Sequence, residues 1–176
     1  MKRLHFATVL VLMVWANVSN ADGGSKRAGD ILAVGLPLAA AGLSFAHGDT
    51  NGLWQLGESE VATVLLTEAL KSTTHEMRPN GKDDKSFPSG HAAVAFSAAQ
   101  YLQMRGGWEY GVPAYLLATA VGYSRVNTKE HYWKDVVAGA ALGASASYYF
   151  TDSAQSTRFG IALTPNSAYI QLARKW

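Results

Sequence analysis

Between Ser124 and Asp135 the chain reads Ser-Arg-Val-Asn-Thr-Lys-Glu-His-Tyr-Trp-Lys-Asp. With residues 131–135 helical, His131 and Asp135 would stand at i and i+4 on one face. A carboxylate there fixes the imidazole tautomer through one ring nitrogen and leaves the other free to attack an electrophile. Taken alone, the same spacing also describes an ordinary surface His–Asp pair. A second group, Lys71 and Arg78, is seven residues apart, so on a continuous helix the two cations share a face about 10 Å apart. Such a pair can grip a multiply charged anion, the Arg bidentately, or simply make a solvated basic face. The third group is Phe87-Pro88-Ser89-Gly90-His91. Ser89 is a favourable N-cap, Gly90 lets backbone amides approach a ligand, and the helix start they define is a natural anion site. His91 at its mouth can give a proton to a leaving oxygen; the plainer account is a Ser cap with an incidental His.

Weighed together, the groups change meaning. With Arg125 they supply three cations, an amide nest, one imidazole placed by a carboxylate and a second imidazole. Phosphoryl transfer to an enzyme histidine needs that set: neutralised phosphate oxygens, an in-line nucleophile and an acid opposite it.

The elements that must position these residues are helical. A first helix is expected from Asp30 to His47, apolar nearly all round and therefore buried, after a polar leader at 22–29. Gly48–Gly52 is a turn cluster. A second helix starts at Glu58 or Ser59, takes its apolar face from Val61, Val64, Leu65, Leu66 and Leu70, and is ended by Pro79. Residues 80–86 read as an exposed loop. Three further helices follow: Ser89 to about Met104, about Glu109 to Gly122, and about Tyr132 to Phe150. In the tail, Phe159, Ile161 and Leu163, then Ala168, Ile170 and Leu172, alternate around Pro165-Asn166-Ser167, a β-hairpin signal. The expected fold is all-α, a compact bundle of about five to six helices over 22–155, with a hairpin-like tail at 156–176.

Residues 1–21 open with Lys2 and Arg3, run apolar from Phe6 to Val18 and end Ser19-Asn20-Ala21, the pattern of a secretory signal peptide cut after Ala21. They hold no acidic residue, so of the 15 basic and 13 acidic residues the remainder keeps 13 of each. That balance gives no reason to expect a nucleic-acid partner. With no cysteine, disulfides are excluded. The apolar stretches Ile31–Ala46, Gly111–Gly122 and Val136–Phe150 are mostly shorter than the roughly 20 residues of a bilayer span, and buried bundle helices are the reading taken here. His75 and His47 are read as surface or helix-end residues. No metal-ligand spacing occurs.

Lys71-x6-Arg78-Pro79, Pro88-Ser89-Gly90-His91 and Ser124-Arg125-x5-His131-x3-Asp135 together resemble the three-part signature of the type 2 phosphatidic acid phosphatase superfamily. That superfamily includes lipid phosphate phosphatases, bacterial acid phosphatases and vanadium haloperoxidases. The motifs span 71–135, and the helical pattern extends the likeness to roughly 30–152. The resemblance implies that His131 is a nucleophile forming a phosphohistidine and that Asp135 orients it. It implies that His91 protonates the leaving group and then activates water. Lys71, Arg78 and Arg125 would hold phosphate oxygens, helped by Ser89, the Gly90 amide and Ser124. It also implies no metal and no cofactor, with vanadate entering only for a haloperoxidase. Ser86-Phe87-Pro88-Ser89-Gly90-His91-Ala92 looks more like the lipid-phosphatase branch, whereas Trp133 and Lys134 depart from it. The expected protein is an exported phosphatase of the periplasm or cell envelope, in contact with the membrane surface. Its expected substrates are lipid-linked phosphates or diphosphates such as phosphatidate or a polyprenyl diphosphate. A soluble acid phosphatase of small phosphomonoesters, a vanadate-dependent haloperoxidase and a non-enzymatic envelope protein are the alternatives.

Overall fold

The computed structural model describes residues 22–153 and, as backbone strands alone, 157–164 and 167–174. The expected signal peptide at 1–21 lies outside the described residues. The hairpin expected over 156–176 lies outside those described with side chains and is not established. Five helices make the domain: α1 (Asp22–Ala46), α2 (Thr50–Thr74), α3 (Gly90–Gly106), α4 (Trp108–Asn127) and α5 (Trp133–Phe150).

The Ala-rich α3 is the centre and touches each of the other four helices. Alanine is the strongest helix former and leaves no bulk to hold neighbours away. Ala92, Ala93, Ala95, Ala98 and Ala99 are accordingly fully buried. Its closest partner is α5. A Cβ on Gly143 would stand 1.9 Å from the Ala93 carbonyl oxygen, and one on Gly139 2.4 Å from that of Ser89. Only glycine permits this approach, as where small residues four apart let helix backbones meet. Asp135 lies one turn before Gly139 on the same face, and its carbonyl accepts from the Ser89 amide at 3.0 Å. The α3–α5 contact thus fixes the start of one helix against the start of the other.

Several sequence boundaries move. α1 begins at Asp22, so the expected polar leader is helical. Its composition favours no helix, and tertiary contacts supply the stability: Lys26 Nζ pairs with Glu130 at 2.6 Å and Arg125 grips the turn from Lys26 to Asp30. α2 begins at Thr50 because Asp49 caps it, accepting from the Gly52 amide at 2.9 Å. It stops at Thr74, where His75 takes a left-handed conformation (φ 46°). Arg78 therefore lies in the following loop rather than on one helix face with Lys71. α4 continues to Asn127 and carries Arg125 in its last turn.

The outer helices also reverse an expectation. α1 was expected to be buried all round, yet Ile31, Leu38 and Phe45 are exposed. Within it Gly24–Ala46 is long and apolar enough to cross a membrane by length and composition, with only 28% of its apolar window buried. α2 is inverted. Val61, Val64, Leu65, Leu66 and Leu70 face outward, whereas Gln55, Ser59, Thr63, Thr67 and Lys71 are buried.

Candidate active site

At the end of the bundle where α3 and α5 start, a cavity of about 430 Å³ lies between α1, α2, α3 and the last turn of α4. Lys71, Arg78, Gly90, His91, Arg125 and His131 line it, so six of the nine expected site residues converge. Ser89, Ser124 and Asp135 stand behind the wall and act on it from there.

His131 precedes α5 rather than lying on it, and Tyr132 is the N-cap. The helical i, i+4 geometry expected for the pair is therefore replaced by a capping turn, in which Asp135 Oδ2 accepts from the Tyr132 amide at 2.9 Å. The same oxygen accepts from Ser86 Oγ at 2.5 Å and lies 3.5 Å from His131 Nδ1. His131 Nδ1 and Asp135 Oδ1 are buried polar atoms with no hydrogen-bond partner among the described residues. A closing of the pair by a few tenths of an ångström would bring Nδ1 into hydrogen-bond range, the tightening that occupied sites show. Burial first, then the charges of Arg78 and Lys71, push the His131 pKa down to about 4. The ring is therefore neutral, with a free lone pair, at neutral pH.

Each cation is held separately. Lys71 Nζ, buried at the end of α2, donates to the Lys85 carbonyl at 2.9 Å; burial and then Arg78 lower its pKa. Arg78 is fixed by Asp83 (Nε, 2.7 Å) and by Glu130 Oε2 (NH1, 3.1 Å). Arg125, 1% exposed, spends Nε on Ser124 Oγ (3.2 Å), NH1 on Asp30 (2.6 Å) and NH2 on the Lys26 carbonyl (2.7 Å). A guanidinium has five N–H groups, so two remain for a ligand. Ser124 Oγ donates to the Val121 carbonyl at 2.7 Å and does not reach the cavity; its part is to orient Arg125. Ser89 likewise caps α3, accepting from the Ala92 amide at 3.4 Å. The first amides of α3, at Gly90 and His91, have no carbonyl four residues back within the helix, and both residues line the cavity, where such a helix start favours an anion. Gly90 has ordinary room for a Cβ, 3.5 Å from Thr67 Cγ2, so steric need does not explain that glycine.

Four participants escaped the motif reading: Ser86, Asp30, Lys26 and Glu130. Glu130, next to His131, bridges Lys26 and Lys82 through Oε1 and Arg78 through Oε2. Burial alone would raise its pKa, yet hydrogen bonds from Lys26 and Lys82 bring it down to about 2. Its adjacency to His131 was the one available signal. Asp30 and Lys26 come from α1, 41 or more residues before the first motif, and nothing in their spacing pointed to the site. His75 pairs with Asp84 at 3.2 Å on the surface, and His47 bonds the Leu43 carbonyl at its helix end, as expected of both.

A cavity with cationic walls and two imidazoles, one backed by a buried carboxylate, is suited to hydrolysing phosphoric esters. Residues 52–158 match the PAP2 superfamily, and the chain belongs to it: it is a phosphoric ester hydrolase. Among curated proteins it is similar to the lipid A 4′-phosphatase of Helicobacter pylori strain J99, 32% identical over 145 residues. That alignment covers 76% of this chain and 73% of that protein. It is also similar to the lipid A 1-phosphatase of Porphyromonas gingivalis, 37% identical over 82 residues, which are 44% of this chain and 18% of that protein. The crystal structure of Aquifex aeolicus LpxE shares the fold, with a TM-score of 0.55 and 21% identity over 69% of this chain and 84% of that one.

Proposed function

We propose that this protein removes phosphate from lipid-linked esters at a membrane surface, through a phosphohistidine on His131 and without a metal. The observation that carries the reading is the cavity's double character. His131, His91, Lys71, Arg78 and Arg125 line it together with Val34 and Val64, which lie on the exposed apolar faces of α1 and α2. A phosphorylated headgroup suits the charged lining, and an acyl chain is compatible with the apolar one. The names of the two curated relatives support the same substrate class, phosphorylated lipid. The long apolar Gly24–Ala46 segment supports membrane association.

In the first half-reaction the neutral His131 attacks phosphorus through Nε2, forming the P–N bond while the P–O bond to the leaving group breaks. Asp135 stabilises the charge that appears on the ring, and Ser86 and the Tyr132 amide hold Asp135 in place. Lys71, Arg78, Arg125 and the α3 amides neutralise the phosphoryl oxygens. His91 gives its proton to the leaving oxygen. In the second half, His91 takes a proton from water, whose oxygen attacks phosphorus and releases His131. Among the described residues no three His, Cys, Asp or Glu side chains group to hold a metal ion.

The test is a phosphate-release panel with EDTA present, using phosphatidate, lipid A, a polyprenyl diphosphate and p-nitrophenyl phosphate. Faster turnover of the lipid esters is expected. Turnover confined to p-nitrophenyl phosphate would contradict the lipid reading, and full loss in EDTA would contradict the metal-free one.

A further inference from the structure

Asp30 lies outside all three motifs, yet its Oδ1 stands 3.1 Å from His91 Nε2 and accepts from Arg125 NH1 at 2.6 Å. This approach is built into the packing. A Cβ on Gly29 would meet Ser124 Oγ at 1.9 Å and Arg125 NH2 at 2.5 Å, so the glycine lets the buried guanidinium lie against α1. Arg125 NH2 then ties down the Lys26 carbonyl one turn earlier, and Asp30 is delivered to the first turn of α3.

Resting on the hydrolase reading above, we infer that Asp30 is the positioning carboxylate of the general acid, accepting the Nε2–H of His91 so that Nδ1 carries the proton for the leaving oxygen. The chemistry asks for such a partner. A general acid must be charged when the ester arrives, but burial, then Arg125 on α4 and Arg78 in the α2–α3 loop, favour the neutral ring. Lys71, on α2, adds a further cation to the same cavity, where Glu68 also lies. Asp30, on α1, is the carboxylate that meets the ring directly and opposes them. As the P–O bond breaks and its electron pair moves to oxygen, the Nδ1 proton passes to that oxygen. Neutral His91 keeps Nε2–H on Asp30 and presents the Nδ1 lone pair to the incoming water.

The test uses the full chain with Asp30→Asn and Asp30→Glu, a poor alkyl leaving group (phosphatidate in detergent micelles) and a good aryl one (p-nitrophenyl phosphate). An aryl oxide departs without a proton, so the two esters separate acid catalysis from general damage. In single-turnover release of the leaving group, which isolates the first half-reaction from the water step common to both esters, Asp30→Asn is expected to slow the alkyl ester about 100-fold and the aryl ester less than about fivefold. The basic limb of the alkyl kcat profile should move to lower pH, because the asparagine no longer favours the imidazolium. Asp30→Glu should recover most of the alkyl rate. Equal losses on both esters with an unmoved limb would overturn the inference and leave Asp30 a structural tie. Faster turnover with tighter phosphate inhibition would also overturn it, showing a carboxylate that merely occupies the phosphate position. Absence of wild-type turnover on both esters would overturn the hydrolase reading itself.

Discussion

α3 has two unlike sets of neighbours. On one side α5 meets it backbone to backbone, through Gly139 and Gly143, with nothing between the helices but small side chains. On the other, α2 turns Gln55, Thr63 and Thr67 inward and α1 adds Ser44 beside the buried Leu36 and Ala40, while both helices carry large apolar side chains outward. The first contact leaves no slack and holds Asp135, Ser89 and, through the capping turn, His131. The second brings the cation Lys71 to the cavity, together with Lys26 and Asp30, which pair with Glu130, Arg125 and His91, on helices with apolar outer faces. Close backbone packing and exposed apolar faces thus belong to two different sides of α3.

Breaking the first contact should have the largest effect. Gly143→Leu drives a side chain into the Ala93 carbonyl and is expected to cost about 3 kcal/mol or more, lowering the thermal midpoint and abolishing turnover. Thermal unfolding and phosphate release, measured together, check it. Ser86→Ala keeps the packing but removes the hydroxyl donor to the buried Asp135 carboxylate. A lost hydrogen bond to a charged group is worth about 1.5–3 kcal/mol, so turnover should fall about 10- to 100-fold with KM little changed.

Leu65→Ser with Leu66→Ser probes the second side. Each lost apolar side chain should weaken binding to lipid vesicles by about 1.5 kcal/mol or more, while p-nitrophenyl phosphate turnover stays near wild type. Vesicle sedimentation beside a soluble-substrate assay separates the two effects, and unchanged sedimentation would remove the membrane contact from the account. Acid has the gentlest effect. The pKa of His131 is depressed in the fold, so the stability it confers is complete above the ordinary histidine value near 6.5 and is lost as pH falls towards about 4. His131→Asn should flatten that part of the stability–pH curve.

The same division marks what the sequence made legible. Lys71, Arg78, His91, Arg125 and His131 could be picked out because their chemistry demands particular side chains. The start of α3 was visible because Ser89 caps that helix locally, whereas Asp135, read as a helical partner of His131, instead closes the capping turn at Tyr132. α1 was misread from 22 to 29 because its first turns depend on Glu130 and Arg125, about a hundred residues away. The inversion of α2 was hidden for another reason. An apolar stripe has the same period whether it faces a core or a bilayer, so Leu65 and Leu66 announce a face without saying what covers it. Ser86 sat inside a charged loop and took its meaning only from Asp135, 49 residues on.

The central claim, that His131 is the group that takes the phosphate, is tested most directly by trapping. Wild-type protein and His131→Asn are mixed with a ³²P-labelled lipid phosphate, quenched in alkali to preserve phosphohistidine, digested and mapped by mass spectrometry. The account predicts label on the peptide bearing His131 in the wild type and none in the variant. Label on another residue, or undiminished phosphate release by His131→Asn, would contradict it.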